Sequence, residues 1–357
     1  MWRSISLSAA VLLTLGLFLL STVLGNAISG AQAAPIHSDN SGPLAAASTG
    51  SLKTAPPGRT AATIAYDAKD GYVLLYGGEN FSTIYNDTWK FASGHWTKLK
   101  TNGNPGARAG AVMTYDAKDH YVVLFGGYNG GPLSDTWKYS KGTWTQLHPT
   151  NVPTGRWAAS IAYDAKAGYV LMYGGYSGSV ILADSWAFSG GQWTEITSSS
   201  PPGDSYSGAL AYDSANHYVV EFGGCCSGPR TNYDSTWKFS QGTWTNLNLV
   251  TQPPPVDSAS YSMTFDSRTG YDVFFGGATY TGSQYFDLNS TWSFVNAEWT
   301  NLSLSHSPSV RDGIAMVYDP KEGYVLLFGG EQLNTGGAVV DVLGDTWTFN
   351  GTQWTEL

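Results

Sequence analysis

A chain of 357 residues with 14% aromatic residues, 43 glycines and only 13% charged residues describes a turn-rich β protein with large side chains between layers, not a helical or disordered one. Its net charge of −9 excludes nucleic acid as the main partner, because phosphate binding needs a basic face. Two cysteines, Cys225 and Cys226, are too few for a disulfide framework.

In chain order, Met1-Trp2-Arg3, the apolar stretch from Ile5 to Leu24 and the tripeptide Ala31-Gln32-Ala33 read as a secretory signal over residues 1–33, cleaved before Ala34. The apolar stretch is also long enough to span a bilayer, so an uncleaved N-terminal anchor is the competing reading and would be the only contact with a membrane. Under both readings the rest of the chain is secreted or displayed at the cell surface. Residues 34–58 turn to Ala, Ser, Gly, Pro and Thr, bury too little to fold alone and act as a flexible linker.

From residue 59 to residue 357 one unit recurs. An apolar run such as Tyr72-Val73-Leu74-Leu75-Tyr76 ends in a glycine pair, at Gly77/Gly78, Gly126/Gly127, Gly174/Gly175, Gly223/Gly224, Gly276/Gly277 and Gly329/Gly330. Ten residues before each first glycine stands an aspartate: Asp67, Asp116, Asp164, Asp213, Asp266 and Asp319. After each pair come two tryptophans seven apart, from Trp89/Trp96 to Trp347/Trp354, and a period near 50 residues marks a repeat architecture. In the first unit the pattern predicts strands over Thr60–Tyr66 and Tyr72–Tyr76, a third around Trp89–Phe91 and a fourth from Trp96 to Leu99. Asp67 to Gly71 is a turn in which Asp bonds the backbone and Gly supplies a positive φ. Such a meander cannot cover both of its own faces, so six of them must pack face to face around an axis. The tryptophans then fill the space between neighbours, and the glycine pairs, with no helix after them, meet a backbone requirement.

These residues resemble the Kelch repeat, an apolar strand ending in Gly-Gly followed by two spaced aromatics, here Val73-Leu74-Leu75-Tyr76-Gly77-Gly78 with Trp89 and Trp96. They depart from it in one detail, since the first aromatic is Trp in all six copies where the family usually has Tyr. The resemblance implies a β-propeller. Six copies in phase imply an all-β, six-bladed propeller of four-stranded antiparallel Kelch-type blades.

Strand direction alternates, so the loop between strands two and three and the link to the next blade leave at one end, the loop end. The one-to-two and three-to-four turns leave at the other, the turn end. Turn-end spacings are constant, whereas the distance from first Gly to first Trp runs 12, 11, 12, 14, 16 and 18 residues, which marks the loop end as the working surface. Eight residues before each Asp, at that same end, stand Arg59, Arg108, Arg156, Ser205, Ser258 and Arg311. In a closed ring the four arginines form an arc at the channel mouth, suited to fork-like contacts with an anionic ligand, a carboxylate side chain or an acidic sugar. Alternatively they bond carbonyls of the neighbouring link, and both readings stay open. Tyr128, Tyr176 and Trp157 share that end and suit stacking on a sugar or packing on a peptide. Cys225 and Cys226, adjacent in one loop, are two free thiols, a strained vicinal disulfide or a metal- or redox-active pair.

The histidines are scattered over turns, links and linker, so neither a metal nor another cofactor is expected. Among proteins the resemblance brings in, galactose oxidase needs a Tyr–Cys crosslink at its copper site that adjacent cysteines do not supply, and the Asp-box of sialidases is absent. A sialic-acid mutarotase of the Kelch type needs no metal, and its acid and base groups would be sought at Glu79, Glu331 and Asp312. The sequence therefore predicts an exported propeller that binds a protein or glycan at its loop end without catalysis. A carbohydrate-active enzyme of the mutarotase type and a structural cell-surface component are the alternatives.

Overall fold

The computed structural model describes residues 55–198, 200–203, 205–224, 235–256 and 262–357. The readings on residues 1–54, on Cys225 and Cys226 and on Ser258 lie outside them. Six four-stranded antiparallel sheets, each built from strands in sequence order, stand round an axis as a β-propeller. Blade one comprises Thr63–Asp67, Tyr72–Tyr76, Thr88–Ala92 and His95–Leu99. Its first strand starts three residues after the expected Thr60, because Ala61 takes a left-handed φ of 51° and Thr60 bridges Glu79 instead. Asp67 Oδ1 accepts the N–H groups of Lys69 and Asp70 at 3.1 and 3.2 Å, and Gly71, with φ 72°, completes the turn. The same carboxylate caps every one-to-two turn, from Asp116 to Asp319.

Strand two is apolar on both faces because both are covered. By the pleat, Val73 and Leu75 pack with Ala315, Leu326 and Phe328 of blade six, while Leu74 and Tyr76 pack with Val122 and Leu124 of blade two. The strand-four tryptophan plugs each seam and must find an acceptor for its buried N–H. It finds the hydroxyl that opens strand three of the preceding blade. Trp144 Nε1 donates to Thr88 Oγ1 at 3.1 Å, Trp96 to Thr346 Oγ1 at 2.9 Å, and the other four blades repeat the bond. The seam between blades six and one is therefore built like the rest, and among the described residues every blade is built from one continuous stretch of chain.

A backbone annulus surrounds the axis at the loop end. Ala61, Gly110, Ala158, Ser207 and Gly313 occupy one position in five blades, all with φ between 50° and 64°. Ala61 N–H donates to Gly313 O at 3.0 Å, Gly110 to Ala61 O at 2.9 Å, Ala158 to Gly110 O at 2.8 Å and Ser207 to Ala158 O at 2.7 Å. The second glycine of five of the pairs makes a parallel link, as Gly175 N–H does to Ser205 O at 2.6 Å. This is the backbone requirement that fixes the glycine pairs. Gly174 has φ 65°, and a Cβ there would run into the Ser205 carbonyl. Gly174→Ala is expected to cost about 1–3 kcal/mol from its left-handed backbone alone, read as a lower midpoint of urea unfolding with an unchanged slope.

Candidate functional site

The loop end is more built than its spacing implied. In blades five and six the long loops fold as hairpins, Ala278–Tyr280 with Tyr285–Asp287 and Glu331–Leu333 with Val339–Val342. The two hairpins are joined by Tyr285 N–H to Thr335 O at 3.1 Å and by Leu333 N–H to Asp287 Oδ2 at 2.6 Å. Together they form a double arm on one sector of the ring.

The arginines stand in the expected places, but their guanidinium groups face inward. Their side chains are at most 2% exposed. Arg108 Nη1 donates to Gly126 O at 2.8 Å, and its two Nη atoms clasp Asp135 Oδ1 and Oδ2, each at 2.8 Å. Its remaining donors reach the link carbonyls of Gly106 and Pro105. Arg59 with Asp87, Arg156 with Asp184 and Arg311 with Asp345 repeat the clamp, each also holding the first glycine carbonyl of its blade. The same carboxylate accepts the indole N–H of the strand-three tryptophan, as Asp135 does from Trp137 at 2.6 Å. Burial alone would raise these four carboxyls; the guanidinium bonds and charge, helped by the indole, hold all four below the ordinary range. This geometry supports bracing of the loop base, and the arc presents no guanidinium fork to the channel mouth. The partner was missed in the sequence although a signal existed. Repeats with Arg carry Asp two residues before the first Trp (Asp87, Asp135, Asp184, Asp345), and repeats with Ser205 or Ser258 carry Ser235 or Ser290.

The three aromatics do come together. Trp157 sits between Tyr128 and Tyr176, with ring centroids 4.9 and 4.8 Å away and interplanar angles of 63° and 84°, and Tyr206 continues the row 6.1 Å from Tyr176. Trp157 is buried, and Tyr128 and Tyr176 are half-buried. Such edge-to-face contacts let each ring cover part of its neighbour, so the row offers edges and phenols more than open faces.

Closure of the ring also gathers carboxylates. Glu79 and Glu331, each directly after a glycine pair in blades one and six, converge with Asp312 and with Asp287 of the blade-five hairpin. Burial first, then the charges of Asp312, Glu79 and Asp287, push Glu331 well above the usual carboxylate range, against the Thr60 hydroxyl. Burial raises Glu79 to about 7, and raises Asp287 to about 6 against its bond from Leu333. Arg59 and Arg311 flank this group but are committed to Asp87 and Asp345. Among the described residues no group of three or more His, Cys, Asp or Glu side chains has metal-binding geometry.

Exposed apolar side chains pick out the same end. Among the described residues the large ones are Phe81, Val180, Tyr280, Phe286 and Val340 on the two-to-three loops, Val152, Val250 and Val310 on the links, and Leu357. Strand four runs toward the loop end, so Leu357 belongs there too. The turn end contributes none of them.

Residues 47–207 match the family model of the KLHDC2/KLHL20/DRC7 Kelch-repeats domain. No curated protein matches the chain. The matched stretch covers the first three blades, and the last three repeat its glycine pairs, aspartates and tryptophans in register.

Proposed function

We propose that this chain, a Kelch-repeat propeller, is an exported and non-catalytic interaction module that captures a protein partner on its loop end. One observation carries the reading: every large exposed apolar side chain among the described residues lies at that end, three of the nine, Tyr280, Phe286 and Val340, on the hairpin arm. Scattered apolar residues on a surface need no explanation, but their segregation to one end does. Aromatic and aliphatic anchors on a projecting arm, rimmed by polar loops, suit a protein interface. Export rests on the signal-like residues 1–33. A glycan partner is the second reading, favoured by the row Tyr128, Trp157, Tyr176 and Tyr206. A mutarotase-type site finds carboxylates at Glu79, Asp312 and Glu331, but the neighbouring Arg59 and Arg311 are not turned toward an acidic sugar.

Screening residues 34–357 against displayed peptides and a glycan array tests this. Peptide ligands recovered in the screen are expected to lose about tenfold or more in affinity with Phe286→Asp, a change of about 1.4 kcal/mol or more at a central contact, and to be unaffected by Lys166→Glu at the turn end. Glycan ligands lost on Tyr176→Ala and retained on Phe286→Asp would replace the protein reading with the second one.

A further inference from the structure

The ring axis holds a cavity of about 430 Å³ that the loop-end reading leaves unused, a size within the range of small-molecule sites. The backbone annulus lies at the loop end of the axis, and the cavity is lined from mid-strand to the turn end by the first strands of all six blades. Its wall is apolar, with Ile64, Met113, Ile161, Leu210 and Met316, interrupted by the hydroxyls of Thr114 and Thr264. Its rim takes one aromatic from each blade: Tyr66, Tyr115, Tyr163, Tyr212, Phe265 and Tyr318.

The charge around this rim is negative. The six one-to-two turns carry nine carboxylates, the capping aspartates with Asp70, Asp119 and Glu322, against five cations, Lys69, Lys118, Lys166, Arg268 and Lys321. Two successive turns flank each phenol. After burial, the acidity of Tyr66 is weakened by Asp319 and Asp67, that of Tyr115 by Asp67, Asp70 and Asp116, and that of Tyr163 by Asp116 and Asp119. Three of the four lysines lean sideways along the ring. Lys69 Nζ reaches His120 O and Lys321 Nζ reaches Gly71 O, both at 3.4 Å, and Lys118 Nζ reaches Ser189 Oγ at 3.1 Å.

We infer that the turn-end mouth of the axial cavity is a binding site for an organic ammonium on an apolar stem, the cation held among the rim phenols and the stem lying along the methionine and isoleucine wall. Aromatic rings attract a cation through their faces, and carboxylates behind them deepen the negative potential. An anion of the same shape meets the opposite field.

Calorimetric titration of the full chain with octyltrimethylammonium, octyl sulfate and octanol tests the site. Octyltrimethylammonium is expected to bind about tenfold or more tightly than octyl sulfate, with octanol between them. Thr114→Trp, which fills the cavity, and the double substitution Tyr115→Ala/Tyr212→Ala should each weaken it about tenfold or more, while Phe286→Asp at the loop end leaves it unchanged. Thermal melting of each variant identifies any that fails to fold, and the pair of designs keeps one in hand. Equal binding of octyl sulfate, loss on Phe286→Asp, retention in both folded cavity variants, or no heat with any of the three probes would overturn the assignment.

Discussion

Asp272→Val is expected to stabilise the propeller by about 1–3 kcal/mol at mildly acid pH, the usual cost of burying a polar group without a partner. Asp272 lies in strand two of blade five, paired across the sheet with Phe265 and Phe294, and is fully buried. Neither carboxyl oxygen has a hydrogen-bond partner among the described residues. The other five blades place Val73, Val122, Val170, Val219 and Val325 at this position, each packed into the seam with the preceding blade. Valine therefore fits a space the repeat already shapes for it. Burial first, and then the charge of Asp213, hold the Asp272 carboxyl well above its ordinary value, so it stays protonated in the fold after it would ionise in the unfolded chain. Across that window the folded state binds more protons, and stability must fall as pH rises, by about 1.4 kcal/mol per pH unit from about pH 4 up to the folded value. The gap between Asp272→Val and the natural chain should accordingly widen with pH. Urea unfolding of both proteins from pH 4 to pH 8 measures it, since Glu331 and Glu79 titrate alike in the two and cancel. A gap that is absent, or constant with pH, would show that the carboxyl has found a partner.

Arg108→Ala is expected to work in the other direction, lowering stability by about 1.5–3 kcal/mol, the size of a hydrogen bond to a charged group, since the half-buried Asp135 it leaves keeps some access to water. The substitution strands Asp135, takes a donor from Gly126 O and frees the link at Gly106. At the matching positions blade four carries Ser205 and Ser235 in place of the pair, and the Ser205 hydroxyl bonds Glu221 of its own second strand at 3.2 Å, so the repeat also accepts a serine pair there. Arg108→Ser combined with Asp135→Ser should consequently be less damaging than the sum of the two, with a coupling of roughly 0.5–3 kcal/mol in a double-mutant cycle. The paired carboxyl is held below its ordinary range, so its contribution is present above about pH 4 and is lost as pH falls through the folded value. Chemical unfolding at pH 7 and pH 3 reads both effects. If Arg108→Ala left stability intact and weakened an anionic ligand instead, the arginine arc would be a site after all.

Much of the fold was legible because its signals are local. An Asp capping a turn, a glycine pair with positive φ and a pair of tryptophans seven apart act within one blade, and six copies repeat them in phase. What was not legible depends on the loops. Arg59 and Asp87 are 28 residues apart, Arg108 and Asp135 are 27, and Arg311 and Asp345 are 34, so insertions in the loop hide a pairing that is constant when counted back from the tryptophan. Loop length marked blades five and six as different without showing that their loops pair with themselves and then with each other. Glu79, Glu331 and Asp312 were singled out from the sequence, but only the meeting of blades six and one brings Glu79 to the other two, where burial raises the affinity of Glu79 and Glu331 for protons.

The annulus of left-handed residues has a topological consequence. Its bond from Ala61 to Gly313 joins the first blade to the last in the same way that Gly110 joins Ala61 and Ala158 joins Gly110. The tryptophan-to-hydroxyl bond across that junction is likewise the one found at every other, with Ser185 in place of threonine at one of them. None of these contacts records which blade was synthesised first. Covalent order is thus a label on a ring whose interactions are cyclic, and a chain cut in another link and rejoined through its present ends would keep the same seams in the same order.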